Sequence, residues 1–216
     1  MNELEKCGEK FNLDQFFRAQ EKTKKLVYEF SQTIIPGMNE KKTHALFEEF
    51  LSNNQIDKKW HPTKLRMGPN TTKSFREESI DYTLKENDLF FFDIGPVFYD
   101  HEGDFGQSFS VGNDLLLKDL SLAPEYIFNL TKNAWKENDL SGIALYEYAQ
   151  NEALKLNLKL NTNMYGHRLG DFPHALYSRE KLGAIDQILS PHLWVLEIHL
   201  IDERLNRGAF FEDTLS

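Results

Sequence analysis

The chain has 216 residues, of which 40% are hydrophobic and 27% charged, with a formal net charge of −9. This length is enough to bury a substantial core, and we expect one domain over residues 1–216. The acidic balance argues against a nucleic-acid-binding surface, because phosphate binding depends on clustered Lys and Arg.

Nothing in the sequence requires a membrane. The apolar run LFFFDIGPVF is interrupted by Asp93 and is far shorter than the roughly 20 residues of a membrane-spanning helix. The first ten residues are charged and lack the apolar stretch of a secretory signal. The one cysteine, Cys7, cannot form an internal disulfide, which fits a reducing compartment. We therefore expect a cytoplasmic protein without a membrane partner.

Two helices are predicted at the start of the chain. Apolar residues at roughly helical spacing predict the first helix over residues 14–34, and the Pro-Gly pair in IIPGMNE ends it. Asn39 is a candidate N-cap for a second helix over residues 40–51.

Extended segments follow these helices. KKWHPTKLRMGPNTT is predicted to be extended, and DLFFFDIGPVFYD is the strongest strand prediction in the sequence. GDFGQSFSVG is predicted to return antiparallel to it, through a turn near residues 98–100.

The second half repeats the order of the first half. Two helices are predicted over APEYIFNLTKNAWKEN and LSGIALYEYAQNEALKLN, with Ser141 near the start of the latter. Extended segments follow and end in LWVLEIHLID and GAFFEDTL. This order predicts an α/β protein with two related halves packed on one curved sheet.

Carboxylates stand where apolar side chains are expected in three of the predicted strands. Asp93 follows LFFF, Glu197 lies within WVLEIHLI, and Glu212 follows AFF. Burying an isolated carboxylate costs several kcal/mol, so each of them needs a cation, a proton or hydrogen bonds. A hairpin would bring Asp104 opposite Asp93, and two facing carboxylates repel each other unless a proton or a metal ion lies between them.

His167 adds an imidazole to these four carboxylates. Such an oxygen-rich set suits divalent Mn, Co, Fe or Zn. With bridging ligands it can hold two ions about 3.5 to 4 Å apart, an arrangement typical of hydrolases. Simpler alternatives remain for each residue alone: a solvated turn for Asp104, a strand end for Asp93 or Glu212, and a structural role for His167.

These segments resemble the pita-bread metallopeptidase family, which includes methionine aminopeptidase, aminopeptidase P, prolidase and creatinase. The resemblance lies in FFDIGPVFYDHEGDFGQSF, GHRLGDFPH, WVLEIHL and GAFFEDTL, and IIPGMNE resembles the turn between the family's opening helices. It implies a catalytic domain with two pseudo-symmetric halves and a curved, mostly antiparallel sheet covered by helices. On this resemblance we expect a catalytic domain without the large N-terminal domain of aminopeptidase P and prolidase.

The resemblance implies roles for five metal ligands, which occur in the family's order Asp, Asp, His, Glu, Glu. Asp93 would chelate one of two divalent metal ions, and Asp104 and Glu212 would bridge both. His167 and Glu197 would complete the second site. Glu197 would also accept a proton from the bridging water.

The resemblance also implies substrate-facing residues and shows departures from the family pattern. His174 would contact the substrate carbonyl. Many family peptidases carry a second substrate histidine shortly after a GPN-like stretch, where this chain has Phe75; His61 is a candidate to compensate from a neighbouring strand. Gln107 and Ile198 replace an arginine and a proline that are usual in the family.

The function expected from this resemblance is a metal-dependent hydrolase, most simply an aminopeptidase or Xaa-Pro-type peptidase that cleaves short peptides. Two alternatives stay open: a creatinase-like hydrolase of a small amide or amidine, and a catalytically silent binding protein. The oligomeric state, a homodimer included, is not determined by the sequence. Trp60 has no functional role in this interpretation, and His101 is expected in a solvated turn.

Overall fold

The computed structural model describes residues 3–56 and 58–216. Its α-helices are α1 (Leu13–Ser31), α2 (Glu40–Asn53), α3 (Leu115–Asn138) and α4 (Gly142–Lys155). Short 3₁₀ turns occur at Glu3–Glu5, Gly68–Thr72, His174–Leu176 and Leu182–Ala184.

Each α-helix begins after a polar capping residue. The side chains of Asn12, Asn39, Asp114 and Ser141 each accept a hydrogen bond from a backbone N–H in the first turn of the helix that follows. These bonds satisfy donors that have no partner within the helix. The prediction of Asn39 as the N-cap of α2 is confirmed.

Helix α3 is longer than predicted. The expected helix over residues 123–138 begins at Leu115 instead, after the Asp114 cap, and runs through Pro124. Proline removes one helical hydrogen bond. The helix nevertheless continues, because its apolar face, which includes Leu120 and Ile127, is buried in the core.

The strands are β1 (Lys64–Met67), β2 (Asp88–Ile94), β3 (Val97–Phe98), β4 (His101–Glu102), β5 (Phe105–Val111), β6 (Lys159–Leu160), β7 (His167–Arg168), β8 (Trp194–Asp202) and β9 (Arg207–Thr214). The main sheet has the order β1-β2-β5-β9-β8-β6, with β7 also paired to β8, and all of these pairings are antiparallel. The order of two helices followed by strands occurs twice, as predicted.

Strands β3 and β4 form a tight hairpin. Its two turn residues, Tyr99 and Asp100, have φ angles of 55° and 60°, the backbone that two-residue hairpin turns favour. The turn predicted near residues 98–100 is thus confirmed. His101 is fully buried rather than solvated, because its Nε2 accepts a hydrogen bond from the Asn12 backbone N–H at 2.8 Å.

The two faces of the sheet have different surroundings. Side chains alternate along a strand, and Phe92 of β2, Ile198 of β8 and Phe211 of β9 join the core that the helices cover. The neighbouring positions Asp93 and Glu212 therefore point to the opposite face. The helices cover one face, and the carboxylates gather on the other.

No helix in residues 3–56 or 58–216 has the length and apolar content needed to cross a membrane.

A buried ion pair joins the starts of β2 and β9. The Arg207 Nε lies 2.7 Å from Asp88 Oδ1, and the Tyr82 hydroxyl donates to the other oxygen of this fully buried carboxylate. Substituting Arg207→Met would leave Asp88 buried and unpaired, so we expect a loss of about 3–5 kcal/mol in the free energy of unfolding. Urea denaturation of the metal-free protein measures this loss.

Arg204→Met is the matched control. Arg204 also pairs with an aspartate, Asp202, but its side chain is 73% exposed, so its loss should leave the urea midpoint close to that of the wild type. Equal midpoints for both variants would contradict a stabilising role for the Arg207–Asp88 pair.

Candidate metal centre

Three of the predicted carboxylates lie in one row across four strands. Asp93 of β2 pairs with Gly106 of β5, Gly106 pairs with Glu212 of β9, and Glu212 pairs with Glu197 of β8. Asp104 lies two residues before Gly106 and so belongs to the same face. The expectation that Asp93 and Asp104 stand directly opposite each other is wrong, because the register makes them diagonal neighbours.

Gly106 leaves the space in which these carboxylates meet. A Cβ built at this residue would lie 2.4 Å from the Phe210 ring and 2.9 Å from Glu212 Oε1. A side chain at this position would therefore push the carboxylates apart. Gly106 was not among the site residues predicted from the sequence, although glycine within a strand is a recognised sign of close approach.

Two histidines complete the cluster. His167 Nε2 lies 3.0 Å from Asp104 Oδ2, and His61 Nε2 lies 3.2 Å from Asp104 Oδ1 and 3.3 Å from Asp93 Oδ1. The two oxygens of Asp104 thus face different imidazoles. The structure brings both histidines to the carboxylates.

The carboxylates strongly affect one another. Burial, together with repulsion from Asp104 and Glu197, raises the pKa of Asp93 to about 6, even though His61 acts in the other direction. Burial also raises the pKa of Glu197, and it raises that of Glu212 well above its ordinary value, where the neighbouring carboxylates add to the effect.

The pKa shifts of Asp104 and the two histidines favour the charged forms of these side chains. Burial alone would raise the pKa of Asp104, but His167 and His61 hold it well below its ordinary value. Burial alone would lower the pKa of each histidine, but the adjacent carboxylates raise it to about 9 in both. These shifts show that the cluster stabilises positive charge beside its carboxylates, as it would stabilise a bound cation.

The donor set fits divalent metal ions. Glu212 Oε1 is buried and has no hydrogen-bond partner, and a buried carboxylate oxygen left in this way favours a bound cation. Ligand atoms of His61, Asp93 and Asp104 lie within 4.8 Å of one another, as do those of Asp104, His167 and Glu212. Asp104 belongs to both groups, and buried carboxylates with imidazole suit Mn, Fe, Co or Zn.

His174 is held beside the cluster by Glu102, which was not predicted from the sequence to be a site residue. Its Nδ1 is hydrogen-bonded to Oε2 of the fully buried Glu102, and its backbone N–H donates to Glu102 Oε1 at 3.3 Å. The His174 ring stacks on that of His167 with the centroids 5.4 Å apart. Glu102 lies two residues before Asp104, and its position in a polar HEGD segment masked its burial.

Trp60 forms a wall of the site. Its ring centroid lies 4.6 Å from that of His61, 5.1 Å from that of His167 and 4.4 Å from that of His174. The sequence interpretation, which assigned Trp60 no functional role, missed these contacts because they join distant segments. Phe75 completes this side, with its ring edge-on to His61 at 5.3 Å.

A cavity of about 380 Å³ opens over the carboxylates. Asp93, Asp104, Glu197, Glu212, His61, His167, His174, Trp60 and Phe75 all line it. Basic side chains of Arg76, Arg179 and Lys181 also contribute to its lining. An acidic floor and a partly basic lining therefore face the same space.

Comparison with known proteins identifies the family. A model described as metallopeptidase family M24 matches residues 14–216. No protein with curated annotation matches the chain significantly.

Solved structures share the fold at low sequence identity. X-Pro aminopeptidase from Thermotoga maritima is 17% identical over 94% of this chain and 57% of that chain, with a TM-score of 0.74. Prolidase from Pyrococcus furiosus is 18% identical over 97% of this chain and 61% of that one, with a TM-score of 0.72. Methionine aminopeptidase from Thermotoga maritima is 15% identical over 97% and 93%, with a TM-score of 0.71.

The chain spans little more than half of the X-Pro aminopeptidase and about three fifths of the prolidase. These structural matches confirm the predicted fold class, a mostly antiparallel sheet covered by helices. Because the family model covers nearly the whole sequence, the chain belongs to metallopeptidase family M24, a family of metal-dependent peptidases.

Proposed function

We propose that this chain is a dinuclear metal-dependent hydrolase that cleaves short peptides as an aminopeptidase or an Xaa-Pro-type peptidase. The observation that carries the proposal is the buried carboxylate cluster, in which the two oxygens of Asp104 face different histidines. A carboxylate placed in this way is suited to bridge two cations.

The proposed metal ligands are Asp93, Asp104, His167, Glu197 and Glu212. They would hold two divalent ions, drawn from Mn, Co, Fe and Zn. When bound, such a pair supplies an activated water and polarises a carbonyl group.

Glu197 is the proposed proton acceptor. It is the least buried of the four carboxylates and lines the cavity. The Gly166 backbone N–H donates to its Oε2 at 2.6 Å, which fixes the orientation of the side chain. A general base needs a fixed position within reach of the proton that it takes.

His174 is the proposed substrate contact. Its bond to Glu102 engages Nδ1 and leaves Nε2 for a substrate. From this position it would stabilise the negative charge that develops on the substrate carbonyl oxygen during peptide hydrolysis.

The cavity supports a small substrate. Its volume of about 380 Å³ falls within the range of pockets for small ligands. Arg76, Arg179 and Lys181 would attract the terminal carboxylate of a short peptide.

The proposal includes a cytoplasmic location, because Cys7 forms no disulfide. It also includes the absence of a nucleic-acid partner, because the net charge is negative.

Reconstitution of the metal-free protein tests the proposed function. We expect cleavage of Xaa-Pro dipeptides or Met-Ala-type peptides after addition of Mn²⁺, Co²⁺, Fe²⁺ or Zn²⁺, loss of cleavage on chelation, and recovery on metal return. Matched peptides with an acetylated amino group control for the free amino terminus. Stable binding of two ions without cleavage of any peptide would contradict the peptidase proposal.

A small amide or amidine substrate is the second candidate, and Phe75 is the observation that favours it. Phenylalanine cannot donate a hydrogen bond where many family peptidases have a substrate histidine, and its ring packs against His61. Creatine and simple amides therefore belong in the same assay. Turnover of these compounds alone would favour this candidate over a peptidase.

A further inference from the structure

We propose that His61 is a sixth ligand of the metal centre, bound to the ion that Asp93 and Asp104 hold. This inference rests on the dinuclear site proposed above. It assigns one imidazole to each metal ion and gives His61 a different role from the substrate contact considered from the sequence.

The spacing of His61 fits a shared ion. Its Nε2 lies 3.3 Å from Asp93 Oδ1 and 3.2 Å from Asp104 Oδ1. Metal–nitrogen and metal–oxygen bonds are about 2.0 to 2.2 Å long, so two ligands at right angles on one ion lie about 3 Å apart. The three side chains are almost completely buried, with no more than 8% of any of them exposed.

The other ring nitrogen of His61 is already occupied. His61 Nδ1 is 2.9 Å from the Pro62 carbonyl oxygen, to which it donates its proton. His167 has the same arrangement, with Nδ1 2.8 Å from the Arg168 carbonyl oxygen. Metal-binding histidines characteristically donate one N–H to a carbonyl or carboxylate and present the other nitrogen to the ion. His61 and His167 thus share the same hydrogen-bonding arrangement, and each faces a different oxygen of Asp104.

The ligand atoms of His61, Asp93 and Asp104 lie within 4.8 Å of one another. A divalent ion placed among them would satisfy all three atoms together. His174 differs, because its Nδ1 engages Glu102 and its Nε2 is within no such group among the described residues.

Neighbouring rings fix His61 in this orientation. Trp60 and Phe75 both meet the ring edge-on, with centroids 4.6 and 5.3 Å from that of His61. Phe75, where this chain departs from the family pattern, therefore packs against the proposed additional ligand His61. A nitrogen ligand should strengthen binding of Fe²⁺, Co²⁺ and Zn²⁺ more than that of Mn²⁺.

Cobalt titration tests this inference without an activity assay. Metal-free wild type and His61→Ala are titrated with Co²⁺ by calorimetry, and the visible absorption of the bound cobalt is recorded. We expect two ions per wild-type chain, and in the variant a loss of affinity of at least about tenfold at one site, because even partners of a ligand contribute that much. The cobalt spectrum should change at the same step.

Two further variants control the titration. His44 lies in α2, is partly exposed and contacts the Thr63 carbonyl oxygen, so His44→Ala should bind cobalt like the wild type. His61→Asp keeps a ligand atom and should recover part of the affinity that His61→Ala loses. Far-ultraviolet circular dichroism of the metal-free proteins shows that each variant is folded.

Two results overturn the inference and are distinguishable. If His61→Ala and His61→Asp keep both affinities and the wild-type spectrum while the KM for a substrate rises, His61 contacts the substrate and is not a ligand. If the wild type itself binds no cobalt, the proposed dinuclear function fails, and this inference fails with it.

Discussion

Substituting Glu197→Gln is expected to lower kcat by at least about 10²-fold, the lower end of what general base catalysis contributes. Glutamine keeps the shape of the side chain and can still accept the hydrogen bond that the Gly166 N–H donates at 2.6 Å. It cannot accept a proton. Steady-state kinetics on the peptide found in the reconstitution assay measures the effect.

Glu180→Gln is the matched control for this substitution. Glu180 also lines the cavity, but it is exposed and lies outside the carboxylate row. We expect it to retain nearly wild-type kcat. Activity retained by Glu197→Gln at the same metal content would remove Glu197 from the role of proton acceptor.

Substituting Asp104→Asn should remove metal and activity together. The two carboxylate oxygens of Asp104 face His61 and His167 at 3.2 and 3.0 Å, and an amide offers only one oxygen. We expect metal content to fall from two ions towards one, with activity reduced by at least about 100-fold, the upper end of what losing a partner of a ligand costs. Elemental analysis and kinetics on the same sample measure both effects.

Asp100→Asn tests whether the loss of a nearby negative charge is sufficient to lower the metal content. Asp100 lies in the adjoining hairpin turn, is exposed, and has a φ of 60° that asparagine also tolerates. Metal content should stay at the wild-type value. Unchanged stoichiometry in Asp104→Asn would mean that this carboxylate does not bridge two ions.

The carboxylate row could be predicted from the sequence because its signal is local. Asp93, Glu197 and Glu212 each interrupt an apolar strand, and the energetic cost of burying a charge makes such positions conspicuous. Their order along the chain then indicated the family. That they share one face of the sheet follows from the strand register.

The parts that the sequence did not reveal depend on long-range register. Gly106 matters only because β2 and β9 flank β5 and bring Asp93 and Glu212 to it. Glu102 and Trp60 matter because a distant segment brings His174 against them. No local pattern encodes such contacts.

The place of His61 in the site also could not be predicted from the sequence. Its position in the sequence does not match that of the family's second substrate histidine, and only the pairing of the neighbouring backbone shows where the ring lies. Lys64 pairs with Asp93 in β1 and β2, and Lys59 forms a bridge with Pro96. The segment between them, which contains His61, is thereby held beside Asp93.

The start of helix α3 was missed for a different reason. Pro124 is typical of a first helical turn and fits the predicted start at residue 123, whereas the helix begins after the Asp114 N-cap. Burial of the apolar face decided the outcome in the folded protein, as tertiary packing commonly does.

Elemental analysis of the wild-type protein, purified without a chelator and then incubated with Mn²⁺ or Co²⁺ and desalted, tests the central claim most directly. We predict about two transition-metal ions per chain, the number that a bridging Asp104 and Glu212 would hold. A protein that retains no metal after this treatment would contradict a dinuclear centre and leave the carboxylate cluster without its proposed cations.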